Sequence, residues 1–185
     1  MKPSPAGRIA TRQAYVGRLL KVDVDTVRAP DGSDIELEIV RHPGASAVVP
    51  VLSDPGDNDP KILMLRQFRY ASGGTMWEIP AGVLEAGEDP LACAQRELEE
   101  ETGATAEKVE HLTTIFTTPG FTDERIHLYW ATGITVAKPR HEADEFIDVR
   151  VEPLSRVLKM IGSGEITDSK TIVALLFLAG FKMGL

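Results

Sequence analysis

A chain of 185 residues with 43% apolar side chains can bury one ordinary core, so a single domain suffices without disulfide or metal staples. A formal net charge of -8 and no cluster of Lys and Arg argue against a nucleic-acid backbone as the main partner, because such binding depends on dense positive charge. The one cysteine, Cys93, can make no internal disulfide and reads as a small buried side chain, which fits a reducing cytoplasm.

Met1 to Pro5 lacks the apolar run of a secretory signal. Residues 13 to 25 then alternate in part, Ala29-Pro30-Asp31-Gly32 supplies a turn, and Asp34 to Arg41 resumes the alternation, which predicts an antiparallel hairpin. A hairpin alone is marginal in water, so this one must pack on its own chain or on a partner. Ser46 to Leu52 and Lys61 to Phe68 read as two central strands around a loop at 54 to 60. Segments near Val109 to Phe116, Ile126 to Thr132 and Phe146 to Val151 complete a mixed sheet.

Three helices are expected. The first has Asp89 as N-cap, Pro90 at its first position and Gly103 just past its end. The second covers roughly Pro153 to Ile161 and the third Ser169 to Phe181. The apolar run Ile172 to Gly180 is about half the length needed to span a bilayer and reads as part of a core helix, so no membrane partner is expected. The fold class is α/β, a mixed β-sheet between α-helices preceded by an N-terminal β-hairpin or small antiparallel sheet.

The first helix carries Arg96-Glu97-Leu98-Glu99-Glu100-Glu101 in its C-terminal half, at the negative pole of the helix dipole. Glu97 and Glu101 are also i,i+4 neighbours, and like charges at that spacing cost about 0.2 to 0.5 kcal/mol. A solvated acidic face is one reading. A bound divalent cation is the other, since Mg²⁺ is held by a few carboxylates together with water and phosphate oxygens. Helical spacing lets Glu97, Glu100 and Glu101 address one site, while Glu99 points away.

The wider frame runs Gly82, five residues, Glu88, seven residues, then Arg96-Glu97-Leu98-Glu99-Glu100-Glu101-Thr102-Gly103-Ala104. It resembles the Nudix box at every fixed position. The resemblance implies a hydrolase of nucleoside diphosphate derivatives that works with Mg²⁺ or Mn²⁺, more than one ion per site. Carried over residue by residue, Glu97 and Glu101 match the principal metal ligands, Glu100 a further ligand, and Ala81 a backbone carbonyl ligand. Arg96 matches the arginine that orients a box glutamate, and Glu88 a supporting carboxylate near the metals. Cations so placed would polarise the diphosphate and acidify the attacking water.

Pro119 lies sixteen residues after Gly103 within Thr118-Pro119-Gly120-Phe121-Thr122-Asp123-Glu124. This spacing is similar to that of the ADP-ribose pyrophosphatase subgroup, although a Pro-Gly turn between strands is also ordinary. Val40-Arg41-His42-Pro43-Gly44, Arg66-Gln67-Phe68-Arg69-Tyr70 and Trp77-Glu78-Ile79-Pro80-Ala81-Gly82 look like the same subgroup. The resemblance implies a homodimer that exchanges residues 1–45 as a dimerisation segment, with 46–185 as the hydrolase domain. Arg69 and then Arg41 suit a diphosphate because the guanidinium fork binds two oxygens at once. Pro119, Glu124 and Tyr15 complete the expected substrate-binding set. The resemblance implies a general-base glutamate on the loop Pro139 to Glu145, where Glu142 and Glu145 are both eligible, whereas the lone His141 is incidental.

The expected reaction converts ADP-ribose and water to AMP and ribose 5-phosphate in the cytoplasm. Hydrolysis of another nucleotide sugar or dinucleotide, and a ligand sensor without turnover, are the alternatives.

Overall fold

The computed structural model describes residues 7–18, 20–137 and 146–184, arranged as two units. One unit comprises Met1–Pro43 with Phe116–Arg125, and the other Gly44–Ile115 with Ile126–Leu185. Glu142, Glu145 and His141 lie outside the described residues.

In the first unit, β1 (Gly7–Val16), β2 (Lys21–Arg28) and β3 (Asp34–Arg41) form an antiparallel sheet in that order. The turn at Ala29 to Ser33 forms where the sequence placed it. Gly32 adopts φ 89° there, and the Asp31 carboxylate accepts from the Ser33 N–H at 2.9 Å. Residues 13 to 25, expected as the first arm of a hairpin, divide between the end of β1 and β2; β2 pairs with β3 as expected, and β1 adds a third strand. All ten residues of β1 are exposed, including Ile9, Tyr15 and Val16. The 116–125 segment is tied to the end of β3, where the Val40 N–H donates to the Phe121 carbonyl at 2.7 Å.

In the second unit, β4 (Ala45–Pro50) and β5 (Lys61–Arg69) are each central, but in different sheets. β5 lies between β6 (Gly74–Glu78) and β10 (Ile147–Pro153) in an antiparallel sheet. β4 lies antiparallel to the short β7 (Ala81–Val83) and parallel to β9 (Arg125–Val136), with β8 (Ala104–Phe116) beyond. A single bridge between Val51 and Ile62 joins the ends of β4 and β5. Two sheets therefore replace the one drawn from the sequence, because β6 and β7 are too short and too glycine-rich to show a period of their own.

Strand alternation sends successive side chains to opposite faces. Val49, Val51, Ile62 and Met64 pack with α2 (Leu154–Ser163) and α3 (Ser169–Phe177) through Leu154, Val157 and Leu175. Val48, Leu63 and Leu65 pack instead with Ala94 and Leu98 of α1 (Pro90–Thr102). Each large aliphatic side chain buried this way contributes about 1.5 to 3 kcal/mol. The sheets thus lie between one helix and two.

The helix ends follow their capping residues. Asp89 accepts from the Leu91 N–H at 2.9 Å, and Gly103 closes α1 in the left-handed conformation. α2 has Pro153 as N-cap and no cap from its own side chains, so Asp59 reaches across to accept from the Ser155 N–H at 2.8 Å. α3 gives way after Phe177 to a π-helical turn, Leu178–Lys182. Among the described residues no helix is long and apolar enough to cross a membrane.

Candidate active site

The inward face of the C-terminal half of α1 meets β7. Glu101, 2% exposed, accepts from the Ala81 N–H at 2.8 Å, which fixes the strand against the helix. Gly82 lies directly under Glu97, and a Cβ built there would fall inside the Glu97 carboxylate. Glu99 is exposed, as its helical position requires. A cavity of about 350 Å³ opens here, lined by Glu97, Glu100 and Glu101 from α1, by Ala81, Gly82 and Val83, and by Gln67 and Arg69 from β5.

Arg96 relieves the crowding of carboxylates. Its Nε and Nη2 donate to the two oxygens of Glu88 at 2.9 and 3.0 Å, and its Nη1 donates to Glu97 at 2.6 Å and Glu100 at 3.0 Å. The Glu88 carboxyl is held at about 2, first by Arg96 and then by the Glu85 N–H. Arg96 itself is raised above its ordinary value, chiefly by its bond to Glu88. With Glu85 at the rim, four carboxylates face two guanidinium groups, Arg69 and Arg96, so the cavity keeps an excess of negative charge.

A family model for the NUDIX domain matches residues 41–173. The chain belongs to the Nudix family. It is 42% identical over 180 residues to the ADP-ribose pyrophosphatase of Bacillus subtilis (strain 168), covering 96% of this chain and 95% of the relative. It is 44% identical over 172 residues to a methanol dehydrogenase activator of Bacillus methanolicus, covering 92% and 90%. An ADP-ribose pyrophosphatase of Mycobacterium tuberculosis is 34% identical over 171 residues, covering 91% and 80%. The crystal structure of an ADP compounds hydrolase shares the fold at a TM-score of 0.81 and 17% identity, spanning 100% of this chain and 97% of that one. As a Nudix hydrolase, the chain acts on phosphoanhydride bonds.

Of the Nudix residues named from the sequence, the structure brings Arg69, Ala81, Arg96, Glu97, Glu100 and Glu101 to one cavity. Glu88 does not line it; both of its oxygens accept from Arg96, which it holds in place. Arg41, Tyr15, Pro119 and Glu124 belong to the other unit. Arg41 is the second arginine named for the diphosphate. Asp23 at 2.9 Å, Asp25 and Asp123 at 3.2 Å accept from it, so its charge is already matched within its own unit. Glu124 accepts from the Thr117 hydroxyl at 2.8 Å, and the ring of Tyr15 lies over Gly17.

The donor set of the cavity fits a hard divalent cation. Glu97, Glu100 and Glu101 line it beside the β7 backbone, where Glu97 leaves Gly82 no room for a side chain. Among the described residues no three acidic, His or Cys side chains converge into a finished cage. Mg²⁺ does not need one, because it keeps water and substrate phosphate oxygens in its coordination sphere.

Sequence reasoning gave no role to Gln67, Glu78 or Lys170. Gln67 is two residues from Arg69 on the same face of β5, which the strand period alone could have shown. Glu78 carries a subtler signal, a carboxylate between Trp77 and Ile79 in a strand, and it is 2% exposed.

Proposed function

We propose that this Nudix hydrolase acts on ADP-ribose, adding water across the diphosphate to give AMP and ribose 5-phosphate. The observation that carries this reading is one cavity bounded by Glu97, Glu100 and Glu101 on one helix and by Arg69 on a facing strand. The relatives named as ADP-ribose pyrophosphatases, alike over almost the whole chain, support the choice of substrate.

Glu97, Glu100, Glu101 and the Ala81 carbonyl would hold Mg²⁺ or Mn²⁺, more than one ion per site. When bound, the cation supplies Lewis-acid polarisation of the phosphoryl oxygens and acidifies the attacking water. Arg69 keeps Nε and Nη2 on Glu78 and has no partner for Nη1 among the described residues, so it has a donor left for a diphosphate oxygen. Arg96 keeps Glu97 and Glu100 in place against their mutual repulsion. Glu142 or Glu145 takes the proton from water as the P–O bond to the bridging oxygen breaks. The enzyme is read as a cytoplasmic homodimer, with residues 1–45 as dimerisation segment and 46–185 as hydrolase domain.

The test is phosphate release, coupled through alkaline phosphatase, on ADP-ribose, other nucleotide sugars, NADH and diadenosine polyphosphates with Mg²⁺. Preference for ADP-ribose, lost in Glu100→Gln, is expected. Preference for another compound would overturn the substrate, and no turnover with any divalent metal would overturn the enzyme in favour of a sensor. The Bacillus methanolicus relative motivates a second reading, activation of a dehydrogenase. Added protein would then raise the turnover of a methanol dehydrogenase.

A further inference from the structure

Arg69 lines the cavity, and its orientation is set by a residue that does not. Glu78 accepts Arg69 Nε at 2.8 Å on one oxygen and Nη2 at 3.0 Å on the other, while the Gln67 side-chain oxygen takes Nη2 at 2.8 Å. This two-point grip fixes the plane of the guanidinium. It would be useless if Glu78 were free to turn.

Lys170 prevents that. Its ammonium, on a side chain only 12% exposed, donates to Glu78 Oε2 at 2.5 Å and to Asp168 Oδ2 at 3.0 Å. Asp168 is in turn fixed as the N-cap of α3, accepting from the Thr171 N–H at 3.0 Å. The fully buried Thr171 hydroxyl accepts from the Ile79 N–H at 3.0 Å, so the first turn of α3 grips both Glu78 and its neighbour. Burial works against the Glu78 charge, and Arg69 and Lys170 together outweigh it, holding the carboxyl below its ordinary value. Held by Lys170 on Oε2, the Glu78 carboxylate meets Arg69 side-on through Nε and Nη2, and Nη1 is left over.

We propose that Lys170 is a positioning residue for diphosphate binding, which through Glu78 holds Arg69 with a free N–H edge toward the substrate. This rests on the reading of Arg69 as a diphosphate contact.

The experiment measures the Kd of a non-hydrolysable α,β-methylene ADP-ribose by calorimetry, and KM and kcat for ADP-ribose, in Lys170→Met, Lys170→Arg, Arg69→Ala and the double variant. Coupling between touching charged groups reaches the tenfold range, so Lys170→Met is expected to raise Kd and KM about tenfold with kcat within about twofold. Lys170→Arg, which restores a cation, returns most of the affinity. In the Arg69→Ala background, Lys170→Met adds nothing further. Lys170→Gln, which keeps a donor and lacks the charge, stands in if the methionine variant does not fold.

An unchanged Kd in Lys170→Met, or an effect of equal size with and without Arg69, overturns the positioning role while leaving Arg69 as a contact. An unchanged Kd in Arg69→Ala overturns both. A loss confined to kcat and melting temperature shows a purely structural lysine and also overturns it.

Discussion

The Glu97 carboxylate fills the space that a side chain at Gly82 would need. No positive φ is involved at this glycine; the constraint is close approach alone. Gly82→Ala must therefore push Glu97 off the strand. Displacement of a site group by about 1 Å can cost about 100-fold, and a loss of that order in kcat/KM is expected. Steady-state turnover of the alanine variant checks this, and near-normal turnover would show that Glu97 can move without consequence.

Arg96 spreads one guanidinium over Glu88, Glu97 and Glu100, which a lysine ammonium cannot do in the same plane. Arg96→Lys is expected to lower metal affinity or activity by about 10- to 100-fold, the usual effect of disturbing the groups that orient metal ligands. A Mg²⁺ titration of activity should move to higher concentration. An unmoved titration with lower maximal rate would place the arginine's role elsewhere.

Acid should destabilise the protein in a defined window. Glu88 is held at about 2 against an ordinary 4.5, first by Arg96. Asp25 is lowered by Arg41, and Asp59 by the Ser155 N–H. Such carboxyls bind protons more readily in the unfolded chain, so the stability they contribute is complete above the unfolded value and is lost as pH falls through the folded one. The urea midpoint should thus fall between pH 4.5 and 2. Glu88→Gln, weaker at neutral pH, should fall less steeply there. Parallel curves would show that Glu88 is not depressed.

Thr171→Val keeps the shape of a fully buried side chain and removes the acceptor for the Ile79 N–H. An unsatisfied buried donor costs about 1 to 3 kcal/mol. Urea unfolding should show a lower midpoint at unchanged slope. A midpoint equal to that of the parent would mean that Ile79 finds another acceptor.

All ten residues of β1 are exposed, so among the described residues that strand has no core to pack on. Light scattering is expected to give about twice the 20.2 kDa chain mass, and deletion of residues 1 to 42 an aggregated or inactive product. A monodisperse, active monomer after deletion would remove the dimer from the account.

Local chemistry was legible where it was self-contained. Asp89, Pro90 and Gly103 mark the ends of α1 through bonds made within a few residues, and the turn at Asp31-Gly32 forms for the same reason. Glu97, Glu100 and Glu101 were legible as one face because the helical period places them together. What escaped was non-local. The sheets divide because β4 and β5 share only the isolated bridge of Val51 with Ile62, which no period encodes. The carboxylates that occupy Arg41 come from β2 and from a segment about 80 positions away, and the lysine that steadies Glu78 lies 92 positions on. Arginines announce the ability to bind an anion. Which anion they meet is decided by the fold.

Cys93 lies on α1, fully buried, with its S–H toward the carbonyls of Gly82 and Val83 at 3.6 and 3.8 Å. Burial, with Glu88 and Glu97 adding to it, pushes the thiol up to about 11, so it is neither reached by a thiol reagent nor ionised to attack one in the folded state. Being the one thiol in the chain, it serves as a natural stopwatch. The rate at which it becomes alkylated times the lifting of α1 from β7, and any ligand that clamps helix to strand will slow that clock in proportion to its occupancy.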